Sequence, residues 1–117
     1  MFIDDLKILL IDSNFETRNL IKNIVECIDD DYEVTCIETA HQAINIIKES
    51  PDYHKCIFCN YNLPDSDGLK FLEELKTWHT SSIIAIYDDE PSYKKAISLI
   101  KDGAFDYFST TEISSKK

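Results

Sequence analysis

Cys56-Ile57-Phe58-Cys59-Asn60-Tyr61-Asn62-Leu63-Pro64-Asp65-Ser66-Asp67-Gly68 is the stretch whose reading decides the fold. Four residues of apolar character run into the polar Asn60, and Pro64, two acids and a glycine follow. A short apolar run bounded by turn residues reads as a buried strand that ends in a loop. Leu69, Phe71, Leu72, Leu75 and Trp78 then take helical spacing, with Asp67-Gly68 at the helix entrance. Open α/β sheets form their sites just beyond the carboxyl ends of strands. Asn60 stands at such an end, and it is an amide.

Upstream, Leu6 to Ile11 is a nearly unbroken apolar run ending at Asp12, typical of a parallel strand covered on both faces. Ser13-Asn-Phe-Glu16 matches a capping box, and Ile21, Ile24, Val25 and Ile28 give a helix over about 14–28. Tyr32 to Ile37 has the β-branched content of a second strand. Thr39-Ala-His-Gln42 is another capping box, opening a helix whose inward face is Ala40, Ala43, Ile44 and Ile47. Downstream, Ser82 to Tyr87 reads as a fourth strand. Asp89-Glu90-Pro91 fits a helix start, with Tyr93, Ala96, Ile97 and Ile100 as its inward face. Gly103 fits the position just past that helix. Ala104 to Phe108 is a fifth strand, and residues 111–117 would open one last, truncated helix. Strict β-α alternation with short connections predicts one doubly wound parallel sheet.

The 117 residues read as a single domain, 1–117, excised from a longer protein. A net charge of -10 argues against direct nucleic-acid binding, because phosphate recognition needs clustered Lys and Arg. The acids at 4–5, 29–31 and 88–90 are expected to be solvated ends of elements. No apolar run approaches the ~20 residues of a membrane span, and the acidic start is unlike a signal peptide. A cytoplasmic location is expected. Cys27, Cys36, Cys56 and Cys59 read as buried free thiols, since strand alternation would send Cys56 and Cys59 to opposite faces and no second pair suits zinc. His41, His54 and His79 share no spacing and are expected at the surface.

Taken together, Leu9-Leu-Ile-Asp12 with Arg18, Asn60-x-x-Leu-Pro64-Asp-x-Asp-Gly68 and Lys101-Asp-Gly-Ala-Phe-Asp-Tyr107 resemble the receiver domains of two-component response regulators. The resemblance covers the chain up to its last helix. It implies a flavodoxin-like (CheY-like) fold with five parallel strands in the order 2-1-3-4-5. It also implies a pocket in which two acids after the first strand and an aspartate after the third hold Mg²⁺. That aspartate accepts a phosphoryl group from a histidine kinase. A hydroxyl residue after the fourth strand and a lysine after the fifth contact the phosphoryl group.

Carried over by position, Asp12 matches the first acid and Ser13 stands where the second would be. Asn60 occupies the phosphoacceptor position, Tyr87 the hydroxyl position and Thr110 the lysine position. Pro64, Asp67, Gly68 and Gly103 keep the loop and turn signature. Tyr107 matches the aromatic that swings in or out in active receivers. A carboxamide is a very poor nucleophile towards phosphorus, and Mg²⁺ prefers anionic oxygens, of which only Asp12 remains. The expectation is a degenerate receiver with no catalytic role, no cofactor and Mg²⁺ lost or very weak. It would act through a protein partner, its own output domain or a homodimer, on the face of the fourth helix and fifth strand. Two other readings remain: phosphorylation at an unusual acid, Asp12 or Asp65, and small-molecule binding at the strand ends.

Overall fold

The computed structural model describes residues 6–29, 31–78 and 81–114. His79 lies outside them, as do Asp4, Asp5, Asp30 and the end of the expected last helix. The order is β1 (Lys7–Ile11), α1 (Phe15–Ile28), β2 (Glu33–Ile37), α2 (Ala40–Glu49), β3 (Cys56–Asn60), α3 (Gly68–Thr77), β4 (Ile83–Asp88), α4 (Tyr93–Lys101), β5 (Asp106–Ser109) and α5 (Thr110–Ser114). The strands form one parallel sheet, β2-β1-β3-β4-β5. This is the doubly wound, flavodoxin-like architecture expected from the alternation.

Right-handed crossovers decide which face each helix covers. The chain steps from β1 to β2 in one direction and afterwards runs the other way, so α1 lies on one face and α2, α3 and α4 on the other. The two core clusters separate accordingly. One gathers Ala43, Ile44 and Ile47 of α2, Phe71, Leu72 and Leu75 of α3, and Leu99 of α4 against Leu9, Ile11, Ile57, Cys59, Ile84 and Ile86. The other holds only Ile21 and Val25 of α1 against Ile8, Leu10 and Tyr87, with Phe58 and Phe108 beside them. The second face keeps an apolar groove of about 200 Å³ lined by Ile24, Ile28, Phe58, Tyr87 and Phe108. Cys56 and Cys59 do fall on opposite faces. All four cysteines are free, but only Cys59 is buried and Cys27 is exposed.

Several expectations need correction. α1 is capped by Asn14, whose side chain accepts from the Thr17 N–H; Ser13 is exposed one residue earlier. The cause is Asp12, whose Oδ1 accepts the Asn14 N–H and turns the chain before the helix. At α2 the Thr39–Gln42 capping box is present as read. α4 starts after Ser92, which accepts from the Lys95 N–H, so Pro91 precedes the helix.

The inward face of α4 is also shifted. Leu99 is its buried residue, while Tyr93 is 90% exposed and Ile97 60%. The i, i+4, i+7 stripe is real, but it faces away from the sheet. β5 begins at Asp106, and Phe105 is 72% exposed. His54 is buried rather than at the surface, whereas His41 is exposed as expected.

Two glycines answer different local demands. Gly103, at φ 108°, ends α4: the Ala104 N–H donates to the Leu99 carbonyl and the Gly103 N–H to the Ile100 carbonyl, the paired bonds of a Schellman turn. Gly68 enters α3 where a Cβ would lie 2.9 Å from Tyr61 Cδ1 and 3.3 Å from Ile86.

Candidate functional site

The carboxyl ends of β1, β3 and β4 bring Asp12, Asn60 and Tyr87 together. Asn60 and Tyr87 are register partners, and side-chain alternation places both on the α1 face with Asp12. From there Tyr87 reaches across β3 towards β1, two strand spacings or roughly 10 Å away. Its hydroxyl donates to Asp12 Oδ2 at 2.7 Å. The Asn60 amide Nδ2 donates to Asp12 Oδ1 at 3.1 Å, and the Asn14 N–H donates to the same oxygen at 2.9 Å. Asn60 Oδ1 in turn accepts the Asn62 N–H, fixing which way the amide faces. Arg18 Nη1 donates to the Asp12 backbone carbonyl at 2.7 Å.

Asp12 and Tyr87 are fully buried and Asn60 nearly so. Both Asp12 carboxylate oxygens thus accept from donors of the chain itself. Burial, reinforced by the neighbouring Asp12 charge, pushes the Tyr87 phenol well above its ordinary pKa, so it stays a donor. Ser13 and Pro64 are exposed and contribute nothing to this cluster. Thr110 opens α5, and its hydroxyl is buried without a hydrogen-bond partner among the described residues.

The loop after β3 is built for rigidity. The Gly68 N–H donates to the Tyr61 carbonyl, and the Tyr61 N–H to the Tyr87 carbonyl, both at 2.7 Å. Asp67 caps α3 by accepting the Lys70 N–H. Asp65 reaches back to α2: Oδ1 accepts the Ala40 N–H and Oδ2 the His41 N–H. Burial works to raise the Asp65 pKa, but these two backbone bonds, with Asp65's own N–H and the nearby His41 charge, outweigh it and hold it below the ordinary range.

A second constellation was not legible in the sequence. Asp88, expected on a solvated acidic end, is fully buried. It follows Tyr87 and so points to the opposite face of the sheet. Oδ2 accepts the Tyr107 hydroxyl at 2.7 Å and the Lys95 ammonium at 3.0 Å, and Oδ1 accepts the Glu90 N–H. Lys95 also donates to the Glu90 carbonyl and lies 4.4 Å from the Tyr61 ring centroid. Burial tends to raise the Asp88 pKa, yet the Tyr107, Glu90 and Lys95 contacts overcome it and hold it below the ordinary carboxylate range. Tyr107 is half-buried, with its hydroxyl also accepting from the Ser92 N–H. No sequence signal marks Lys95, because its pairing with Asp88 depends on how α4 sits over the sheet.

Comparison with known proteins agrees with this fold. The response regulator receiver domain family matches residues 8–112. A two-component response regulator of Arabidopsis thaliana, ARR11, is 26% identical over 103 residues, which are 87% of this chain and 19% of that protein. The chain therefore spans about a fifth of that relative. Among solved structures, a LuxR-family two-component response regulator from Aurantimonas superposes with a TM-score of 0.81 at 18% identity, covering 93% of this chain and 77% of that one. The beryllofluoride-activated NtrC4 receiver domain dimer superposes at 0.75 with 24% identity, covering 88% and 82%. With the sheet order, the loop after β3 and the family match over 8–112, the chain belongs to the response regulator receiver domain family.

Proposed function

We propose that this receiver has given up phosphoryl transfer and acts as a protein-interaction module in two-component signalling. The observation that carries this reading is the saturation of Asp12 by Tyr87, Asn60 and Asn14. The acceptor position holds an amide whose nitrogen donates inward, so no carboxylate stands there to attack phosphorus. The donor set fits Mg²⁺ poorly. It supplies one formal charge from three positions, and entry of the ion would have to break three internal hydrogen bonds. No cation at Thr110 awaits a transferred phosphate, and Tyr87 spends its hydroxyl on Asp12. Asn60 is thus a structural donor in a metal-free pocket, and the domain is not a catalyst.

The alternative acceptors are poorly placed. Asp12 is sealed, and Asp65 is engaged at the start of α2. Output then rests on binding. The supporting feature is the outward stripe of Tyr93, Ile97 and Ile100 on α4 with Phe105 before β5, apolar side chains that the sheet leaves to solvent. The partner is another protein, the output segment of the same protein or a second copy; the NtrC4 neighbour was solved as a dimer.

The test is incubation with acetyl phosphate and about 10 mM Mg²⁺, followed by intact mass. The expected outcome is no added mass. A gain of about 80 Da, one phosphoryl group, that disappears in Asp12→Asn or Asp65→Asn would sink the reading.

A further inference from the structure

At the amino ends of the strands, the end of the sheet opposite Asp12, His54 lies in the α2–β3 connection and is 5% exposed. Neither of its ring nitrogens has a hydrogen-bond partner among the described residues. A buried imidazole without a partner is tolerated only while neutral, because charging it there forfeits hydration that nothing replaces. In water the same ring takes a proton near about pH 6.5.

The connection around it is held by few bonds. Ser82 Oγ donates to the His54 carbonyl, the Lys55 N–H to the Lys7 carbonyl and the Ile83 N–H to the Lys55 carbonyl. Asp52 accepts from the Ser81 hydroxyl and N–H, bonds that hold its carboxyl below the ordinary range, so mild acid leaves it ionised. The half-exposed Tyr53 ring packs nearly perpendicular to the imidazole, with centroids 4.8 Å apart, so the ring against His54 itself borders water. The charged groups acting on the imidazole are Glu33 of β2 and Lys7 of β1, which oppose one another there and are paired with each other at 3.1 Å. Cys56, two residues on, is kept a neutral thiol by burial. Among the described residues, no carboxylate is seated on the ring to hold its charged form inside.

We propose that His54 is a proton-sensitive pin for the amino end of the sheet. Neutral, it seals the α2–β3 connection against β1 and β4. Protonated, it leaves for water and frees that connection while the Asp12 end stays closed. An opened ring takes its proton near about pH 6.5 and a sealed one at lower pH, so closure is favoured above that value and lost below it. At about pH 5.5 some ten opened rings are protonated for each neutral one, so the open fraction should be about tenfold that at about pH 7.5.

The test is hydrogen exchange of the whole chain at these two pH values, corrected for intrinsic rates and read at the Lys55 and Ile83 amides. The expected result is about tenfold lower protection at the acid pH, insensitive to sub-denaturing urea as a local opening is. The Tyr61 and Gly68 amides, at the other end of the sheet, should exchange more slowly and only through urea-sensitive opening. In His54→Phe and His54→Gln, each checked for folding by circular dichroism, the pH dependence should vanish. Equal protection of Lys55 and Ile83 at both pH values in the unaltered chain would overturn the proposal. Urea-sensitive exchange at those amides would also overturn it, since the ring would then charge only when the whole chain unfolds. A pH effect that persists in either folded variant would take the role away from His54.

Discussion

Asp12 and Asp88 are both fully buried carboxylates at the carboxyl ends of strands, yet they are satisfied in different ways. Asp12 is surrounded by neutral donors: a phenol, a carboxamide and a backbone N–H. Asp88 takes a phenol and an N–H as well, but it also takes an ammonium, from Lys95. The first arrangement ties strand ends to one another and is closed to solvent. The second ties β4 to the first turn of α4 and to β5, and its lysine side chain is 29% exposed. The Asp12 cluster is closed within the core, while the charged clamp lies beneath the helix that carries the exposed stripe.

The largest expected effect comes from removing the ammonium. Lys95→Met should lower stability in urea unfolding by about 3 kcal/mol, the low end of the cost of orphaning one partner of a buried pair. It should also speed hydrogen exchange over α4. If stability is unchanged, Asp88 is served well enough by its neutral donors and the two sites are alike.

Restoring the acid comes next. Asn60→Asp replaces the donor 3.1 Å from Asp12 Oδ1 with a second carboxylate. Repulsion between the two should cost about 2 kcal/mol without metal, and Mg²⁺ should recover part of it by binding the native state. The unaltered chain should gain less than about 1 kcal/mol from the same Mg²⁺. A larger gain would show that Asp12 can exchange its internal donors for a metal. Tyr87→Phe, which removes one donor from Asp12 and keeps the ring, should cost about 1.5 kcal/mol. No loss would mean that water replaces the phenol and that the site is not sealed.

The smallest effect separates Asp88 from a third buried group by pH. Asp88 has its pKa held low, so its contribution is present above the unfolded value near 3.9 and is lost only as pH falls through the folded value. His54 is buried with neither ring nitrogen partnered among the described residues, and burial lowers its pKa, with the Glu33 carboxylate opposing. As pH falls below about 6.5 the unfolded chain protonates first, so stability declines there. Urea midpoints at about pH 7.5 and about pH 5.5 should therefore differ in the unaltered chain and agree in His54→Phe. A slope that persists in the variant would point to another group.

How much of this was legible in the sequence follows from the range of the interactions. Strand and helix identity, their alternation and the parallel sheet rest on local periodicity and on the handedness of crossovers. The amide at Asn60 is a property of one residue at one strand end, and the Gly103 turn is a local backbone requirement. These the chain determined by itself. Where a helix turns its apolar residues is not local. Tyr93, Ala96, Ile97 and Ile100 satisfy a helical stripe, but Leu99 meets the core because the edge of the sheet at β4 and β5 receives that side of α4. Asn14 displaced Ser13 as the cap because Asp12 turns the chain before α1. By position Tyr87 was only a hydroxyl residue after the fourth strand; in the fold its length is what lets it reach Asp12, 75 residues earlier. Asp88 looked like part of an acidic surface until β5 and α4 closed over it. Only tertiary structure could decide these, because each depends on which distant donor, cation or apolar face is brought against the residue.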